Sequence, residues 1–234
     1  MSTREKNRPE VIPMPEPTYL DLVAEDGNPL RHKYFQQEGQ PAGLVITFPG
    51  DHYGVDGPLL YFPNQLLWAQ GWDTAAITYG YQSAGKPFSP LAIADVLSEC
   101  QRAVSTLLAE RPYARLILMG KSIGASLVTL ICQEMTLPHR TRAIYLTPAL
   151  GPMFNPGFIE TTQPALLALG TDDRFFDEAA LAELTKNRAF HLVQVEGADH
   201  SMNIPGDLAA SLEAIQRVTE AVKEFISSAD DSPK

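Results

Sequence analysis

Three kinds of side chain in this sequence have spacings that could do chemistry, and each lies in a short loop containing glycine. Ser122 sits in Gly120-Lys-Ser-Ile-Gly124, a pair of aspartates in Gly170-Thr-Asp-Asp-Arg174, and His200 in Glu196-Gly-Ala-Asp-His-Ser-Met202. A serine hydroxyl is a weak nucleophile until a neighbouring base takes its proton. Histidine is the side chain suited to that task near neutral pH. A carboxylate, in turn, fixes the histidine tautomer and stabilises the imidazolium that forms. Asp172 and Asp173 both qualify for that third role. The chemistry such a set performs is acyl transfer through a covalent acyl-serine.

The elements around these loops must bring them to one place. An apolar run, 116–119, precedes the serine pentapeptide, and a helix-compatible run, 125–134, follows it. Strand, then G-x-S-x-G, then helix is the context that gives this short pattern meaning. On such a sharp turn the neighbours two residues either side come close, and glycine at 120 and 124 removes the Cβ atoms that would collide. The aspartate loop follows an apolar strand at 164–169, and the histidine loop follows a strand at 190–195. Parallel strands all end on the same side of a sheet, so the three loops should emerge together. His139 follows a helix and belongs to the opposite side. His32 and His191 lie within strands, whereas His52 sits on the correct side.

Taken in order, 18–24 and 30–36 flank an Asp-Gly turn and read as a hairpin. Residues 43–48 form a continuous apolar run, as expected of a central strand. A helix over 59–70 contains Pro63, which predicts a late start or a kink. A strand at 73–78 follows. Ser89-Pro90 reads as an N-cap ahead of a helix running to Glu110. A strand at 142–146, a capped helix from Asp177 to Thr185, and a long amphipathic helix at 207–226 complete the pattern. Helices alternating with short apolar strands imply a mostly parallel twisted sheet of about eight strands, covered on both faces, with antiparallel strands at the N-terminal edge. The expected organisation is one α/β domain over 18–228. Polar, proline-rich residues 1–17 and residues 229–234 are expected to be unstructured.

Attack on a carbonyl creates an oxyanion that needs preorganised donors. The amide of Ile123, at the start of the helix after the serine, is one candidate. The other should come from the loop after the 43–48 strand, Pro49-Gly-Asp-His-Tyr-Gly54, with the Asp51 amide as the expected donor. Aromatic residues are dense in the loops 50–62 and 79–90. Tyr53, Tyr61, Tyr79 and Tyr81 are candidate pocket residues with Phe88, unless the rings simply cover the sheet edge. Lys121 is expected to project away from Ser122. With Lys86 the one cation expected near these walls, the pocket should favour neutral acyl groups.

The joint pattern of Gly120-Lys-Ser-Ile-Gly124, Gly170-Thr-Asp-Asp173, Gly197-Ala-Asp-His200 and Phe48-Pro-Gly50 resembles the α/β-hydrolase family over roughly residues 18–228. The resemblance implies Ser122 as nucleophile, His200 as base and Asp173 as acid, with Asp172 as the fallback. It implies no metal and no organic cofactor. Two departures stand out: Pro49-Gly50 replaces the His-Gly of many members, and a lipase-type Gly-Gly-Gly loop is absent. The 17-residue stretch 147–163 is too short for a substantial cap. The chain is therefore similar to the small, lidless dienelactone-hydrolase and acylpeptidase-like members, although dienelactone hydrolases carry Cys where Ser122 stands.

Composition sets outer bounds. The 234 residues are 44% hydrophobic and 20% charged, ordinary for a globular domain with a sizeable core. A net charge of −10 disfavours nucleic acid and anionic membrane surfaces as partners. Cys100 and Cys132 fall on apolar helix faces and read as buried thiols rather than a disulfide. No run reaches the length of a membrane span, and no signal-peptide core is seen, so the expected location is cytoplasmic. The expected function is a serine hydrolase acting on a small or medium ester, thioester or amide. An acyltransferase on the same residues, or a binding protein on the same fold, are the alternatives.

Overall fold

The computed structural model describes residues 15–24 and 26–227. Eight strands form one sheet in the order β1-β2-β4-β3-β5-β6-β7-β8. They are β1 Thr18–Val23, β2 Pro29–Phe35, β3 Leu44–Phe48, β4 Asp73–Ala76, β5 Arg115–Lys121, β6 Arg140–Leu146, β7 Ala165–Gly170 and β8 His191–Val195. β1 and β2 pair antiparallel, as do β2 and β4, and every pairing from β4 through β8 is parallel. The expected hairpin and the central third strand are both present. The expected loose ends, 1–17 and 229–234, lie outside the described residues except for 15–17.

The apolar pattern decides which face each helix covers. Helices α1 (Pro58–Ala69) and α7 (Leu208–Ser227) pack together on one face, closing over Val45, Ile117, Met119, Ile144 and Leu166. The other face holds α3 (Ile93–Glu110), α4 (Ile123–Glu134), α5 (Asn155–Glu160) and α6 (Glu178–Asn187) over Leu44, Ile46, Leu116, Leu118 and Leu167. A single turn, α2, spans Gly80–Ser83. All five residues of β3 are buried, because a strand covered on both faces cannot alternate. Cys100 and Cys132 are buried free thiols.

Three local expectations need correcting. Helix α1 starts at Pro58 and continues through a buried Pro63 without interruption. Ser89 makes no capping bond from its side chain; Pro90–Ala92 form a 3-10 turn, and the α-helix begins at Ile93. β4 ends at Ala76 rather than Thr78, where the Thr78 amide turns to donate to His32 Nδ1 (3.0 Å). By contrast, Asp177 caps α6 as expected, accepting from the Ala180 amide at 2.9 Å.

Strand order reverses between β3 and β5. After β3 the chain adds β4 on one side, then crosses to add β5 on the other. Loops leaving the carboxyl ends of β3 and β5 diverge there, and in open α/β sheets this divergence makes a crevice. The loop after β3 holds Asp51, and the turn after β5 holds Ser122.

The opposite end of the sheet is tied by a buried carboxylate. Asp73, fully buried at the start of β4, accepts from the Gln37 amide (2.7 Å), Arg111 Nη1 (2.9 Å) and Tyr113 Oη (2.6 Å). Tyr113 and Tyr34 hydroxyls also meet at 2.5 Å. This network joins the end of β2, the start of β4 and the link from α3 to β5. Removing one partner of a buried ion pair strands the other, at about 3–5 kcal/mol. Asp73→Asn should therefore lower unfolding stability by about that much in urea titration, with the crevice at the far end still intact at low denaturant.

Candidate active site

Ser122 stands between strand and helix with φ 55° and ψ −117°, one of three non-glycine residues with positive φ among the described residues. A Cβ on Gly120 would overlap the Gly124 carbonyl, and a Cβ on Gly124 would overlap the Phe48 carbonyl. The two glycines thus let the turn press against β3 and lift the serine above the strand ends. Ile123 is the first residue of α4, so its amide has no acceptor within the helix.

The aspartate and histidine loops are stitched to each other. The Asp172 amide donates to the Ala198 carbonyl (3.0 Å), the Thr171 amide to the Val195 carbonyl (3.0 Å), and the Gly197 amide to Thr171 Oγ1 (2.8 Å). Within this frame His200 Nδ1 lies 2.7 Å from Asp173 Oδ2. An ionised carboxylate can only accept, so in the neutral imidazole this contact selects the tautomer with its proton on Nδ1 and a lone pair on Nε2. The other carboxylate oxygen of Asp173 accepts from the Phe175 amide at 2.9 Å, and the Phe175 ring meets the imidazole edge-on at 5.0 Å. Asp173 is buried, whereas Asp172 is exposed and its side chain bonds nothing among the described residues. Asp199 holds its own turn, accepting from the Ser201 and Asn203 amides.

Ser122 and His200 line one cavity of about 610 Å³. Among the described residues Ser122 Oγ makes no hydrogen bond, so its link to Nε2 is not formed in this structure. Such contacts often tighten only with substrate bound. Gly50, Asp51, Tyr53, Lys121, Ile123 and Ser126 also line the cavity, as do Phe88, Met153, Arg174 and Phe175.

The loop after β3 is held in a way the sequence does not announce. The Gly50 amide is already donated to the Tyr53 carbonyl (2.9 Å). Gln82 Nε2, from α2, donates to the carbonyls of Gly50 (2.9 Å) and Asp51 (3.0 Å). In a trans peptide the N–H points opposite to its carbonyl. Fixing Gly50 O therefore aims the Asp51 amide away from Gln82, and it donates to nothing among the described residues. Tyr79 is fully buried beneath the same loop, with its hydroxyl donating to Pro49 O at 2.9 Å.

The four candidate tyrosines therefore separate. Tyr53 lines the cavity and accepts from the Leu59 amide at 2.8 Å. Tyr79 supports the loop from below, and Tyr81 stacks between Tyr79 and Phe88 with its hydroxyl buried and unbonded. Tyr61 is exposed on α1 beside a different small pocket. Phe88, Phe175 and Met153 are the apolar wall. Phe175 could have been suspected from its place two residues after Asp173. Gln82 carries no sequence signal of its role.

Lys121 overturns one expectation. It does not project away: it is almost wholly buried, lines the cavity, and holds Nζ 4.5 Å from the centre of the Tyr53 ring. It forms no hydrogen bond or ion pair with any described residue. Lys86, the cation expected near the pocket walls, pairs instead with Asp26. Burial lowers the Lys121 pKa from its ordinary 10.5 to about 8, against the opposing pull of Asp173 and Asp199.

A family profile described as "Alpha/beta hydrolase domain" matches residues 54–227. The chain belongs to the alpha/beta hydrolase family. A lidless serine hydrolase from Xanthomonas campestris is similar in fold, at 15% identity and TM-score 0.71, over 97% of this chain and 100% of that one. A putative alpha/beta hydrolase from Agrobacterium tumefaciens matches at 15% identity and TM-score 0.74, over 91% and 98%. Est1E from Butyrivibrio proteoclasticus matches at 18% identity and TM-score 0.70, over 93% and 100%. A search of curated protein sequences finds no match. Among the described residues no helix is long and apolar enough to cross a membrane.

The depressed Lys121 pKa has a sign that can be checked. Below about pH 8 both folded and unfolded chains hold the proton, and the folded state bears the full cost of the buried charge. Between about 8 and 10.5 only the unfolded chain keeps it, so this cost fades as pH rises. Lys121→Met should raise unfolding stability by up to about 3 kcal/mol near neutrality. The gain should shrink steadily towards pH ~10 when urea curves of the two proteins are compared.

Proposed function

We propose that this protein is a serine hydrolase that cleaves a small or medium ester, thioester or amide through an acyl-enzyme. The observation that carries the reading is the 2.7 Å contact of Asp173 with His200 Nδ1, which leaves Nε2 basic in the cavity that Ser122 lines. Ser122 Oγ attacks the carbonyl carbon as His200 Nε2 takes its proton. The Asp51 and Ile123 amides receive the oxyanion. Collapse breaks the bond to the leaving group, which departs with the proton from His200. Water then attacks the acyl carbon, gives its proton to His200, and the C–Oγ bond breaks as that proton returns to Ser122.

Each residue in this scheme has a measurable signature. A fluorophosphonate probe should label wild type and not Ser122→Ala. Ser122→Ala and His200→Ala should each remove nearly all turnover of p-nitrophenyl esters, and the double variant should be little worse than either. Multiplicative losses would count against a shared unit. Asp173→Asn should lower kcat by roughly 10³–10⁴, because it favours the wrong tautomer. Asp172→Asn should have a far smaller effect, and the reverse ranking would reassign the acid. The base must be neutral, so kcat/KM should fall on acidification between roughly pH 8 and 5.

The oxyanion loop offers an independent check. Gln82→Leu keeps the side-chain bulk but releases the Gly50 and Asp51 carbonyls. If the Asp51 amide is a donor aimed by that clamp, kcat should drop about 10-fold or more while KM changes little. An unchanged kcat would remove Asp51 from the scheme.

A further inference from the structure

Lys121 is the feature that the hydrolytic scheme leaves unused. Its place in the chain, at the last residue of β5, puts it next to the nucleophile. Its side chain runs along the Gly50 backbone: a Cβ on Gly50 would meet Lys121 Cδ at 3.7 Å and Ser122 Cβ at 3.6 Å. The ammonium ends over the Tyr53 ring, on the wall of the same cavity. A buried cation is ordinarily matched by a carboxylate at hydrogen-bond distance, and the ring face replaces only part of that.

The carboxylates nearby are mostly committed. Asp173 is bonded to His200, Asp199 to the amides of its own turn, and Asp51 to His52 at 3.2 Å. Asp172 alone is uncommitted, and it is exposed. A second cation, Arg174, also lines the cavity; its guanidinium lies 4.6 Å from the Phe175 ring centre and pairs with no acid among the described residues. Asp51, Asp172 and Asp199 line the same cavity, yet none lies at hydrogen-bond distance from either cation, so both ammonium and guanidinium keep donors open to an anion.

Building on the assignment of Ser122 as nucleophile, we infer that Lys121 is a specificity-determining residue whose ammonium pairs with a carboxylate carried by the substrate. The substrate class is then an ester, thioester or amide that also bears a free acid. Phe88, Phe175 and Tyr53 supply faces for the carbon skeleton between the acid and the scissile bond. Arg174, near the exposed end, draws the anion towards the cavity against the net charge of −10. At neutral pH Lys121 remains mostly protonated despite its lowered pKa of about 8, so the positive charge is present to be matched.

The carboxylate can sit on the acyl group or on the alcohol, and two pairs of probes separate these sources. Mono(4-nitrophenyl) terephthalate against 4-nitrophenyl 4-methylbenzoate places the charge on the acyl side. 4-Acetoxybenzoate against 4-methylphenyl acetate places it on the leaving side. In wild type, kcat/KM should favour the charged member of one pair by about tenfold or more. Lys121→Met should bring that ratio to about one, and Lys121→Arg should keep part of it. A ratio at or below one in both pairs, or a ratio unmoved in Lys121→Met, overturns the inference. Calorimetric binding of the same four compounds to Ser122→Ala, with and without Lys121→Met, reads the site without turnover. Lysine-dependent binding of a charged probe with no hydrolysis by wild type would support the carboxylate site and overturn the hydrolase reading. Hydrolysis of the neutral esters with no preference for charge in binding would do the opposite.

Discussion

Everything at this site depends on how closely two pieces of backbone can approach. The turn at Ser122 lies directly against the end of β3, with Gly124 facing the Phe48 and Pro49 carbonyls and Gly120 facing Gly124. Side-chain atoms at either glycine would force β3 and β5 apart, and the loop that carries Asp51 begins where β3 ends. The serine, the Ile123 amide and the Asp51 amide are therefore set by one contact. The positive φ of Ser122 is sustained because the parallel pairing of β3, β5 and β6 and the body of α4 hold the chain on both sides of it.

The other half of the site is built on a different principle. Asp173 and His200 come from loops that cross-link through main-chain bonds, Asp172 to Ala198 and Thr171 to Val195. The side chains inherit the precision of that frame, and Phe175 limits the tilt of the imidazole. The buried network at Asp73 anchors the far end of the sheet with no part in chemistry. Stability is thus concentrated at one end of the strands, and unpaired charge and backbone strain at the other.

What the sequence reveals follows from this division. The convergence of Ser122, Asp173 and His200 at one end of the sheet was legible because a parallel sheet sends the ends of its strands to one side, and short apolar runs mark where each strand stops. The buried thiols and the Asp177 cap were legible for similarly local reasons. Tyr79 and Tyr81 were not, since aromatic enrichment in a loop has the same appearance whether the rings face a ligand or support the backbone beneath it. Lys121 was misread because strand alternation places its Cβ but says nothing of four further rotatable bonds. Gln82 was invisible: its function lies in two carbonyls 31 and 32 residues earlier, and no local pattern encodes that reach. Pro63 was given too much weight, because an isolated proline in a well-packed helix forfeits one bond and does not dictate a break.

The link between β6 and β7 carries only the six residues of α5, and no cap domain is inserted there. Capped enzymes of similar layout have a gate to open before substrate enters and again before product leaves. On the proposed hydrolytic scheme, no cap inserted between β6 and β7 has to move before substrate reaches Ser122. On that scheme the departing group can also remain part of something larger than the cavity. An ester at the end of a chain, or hanging from a macromolecule, needs to offer only its acyl end to the serine, with the rest trailing in solvent.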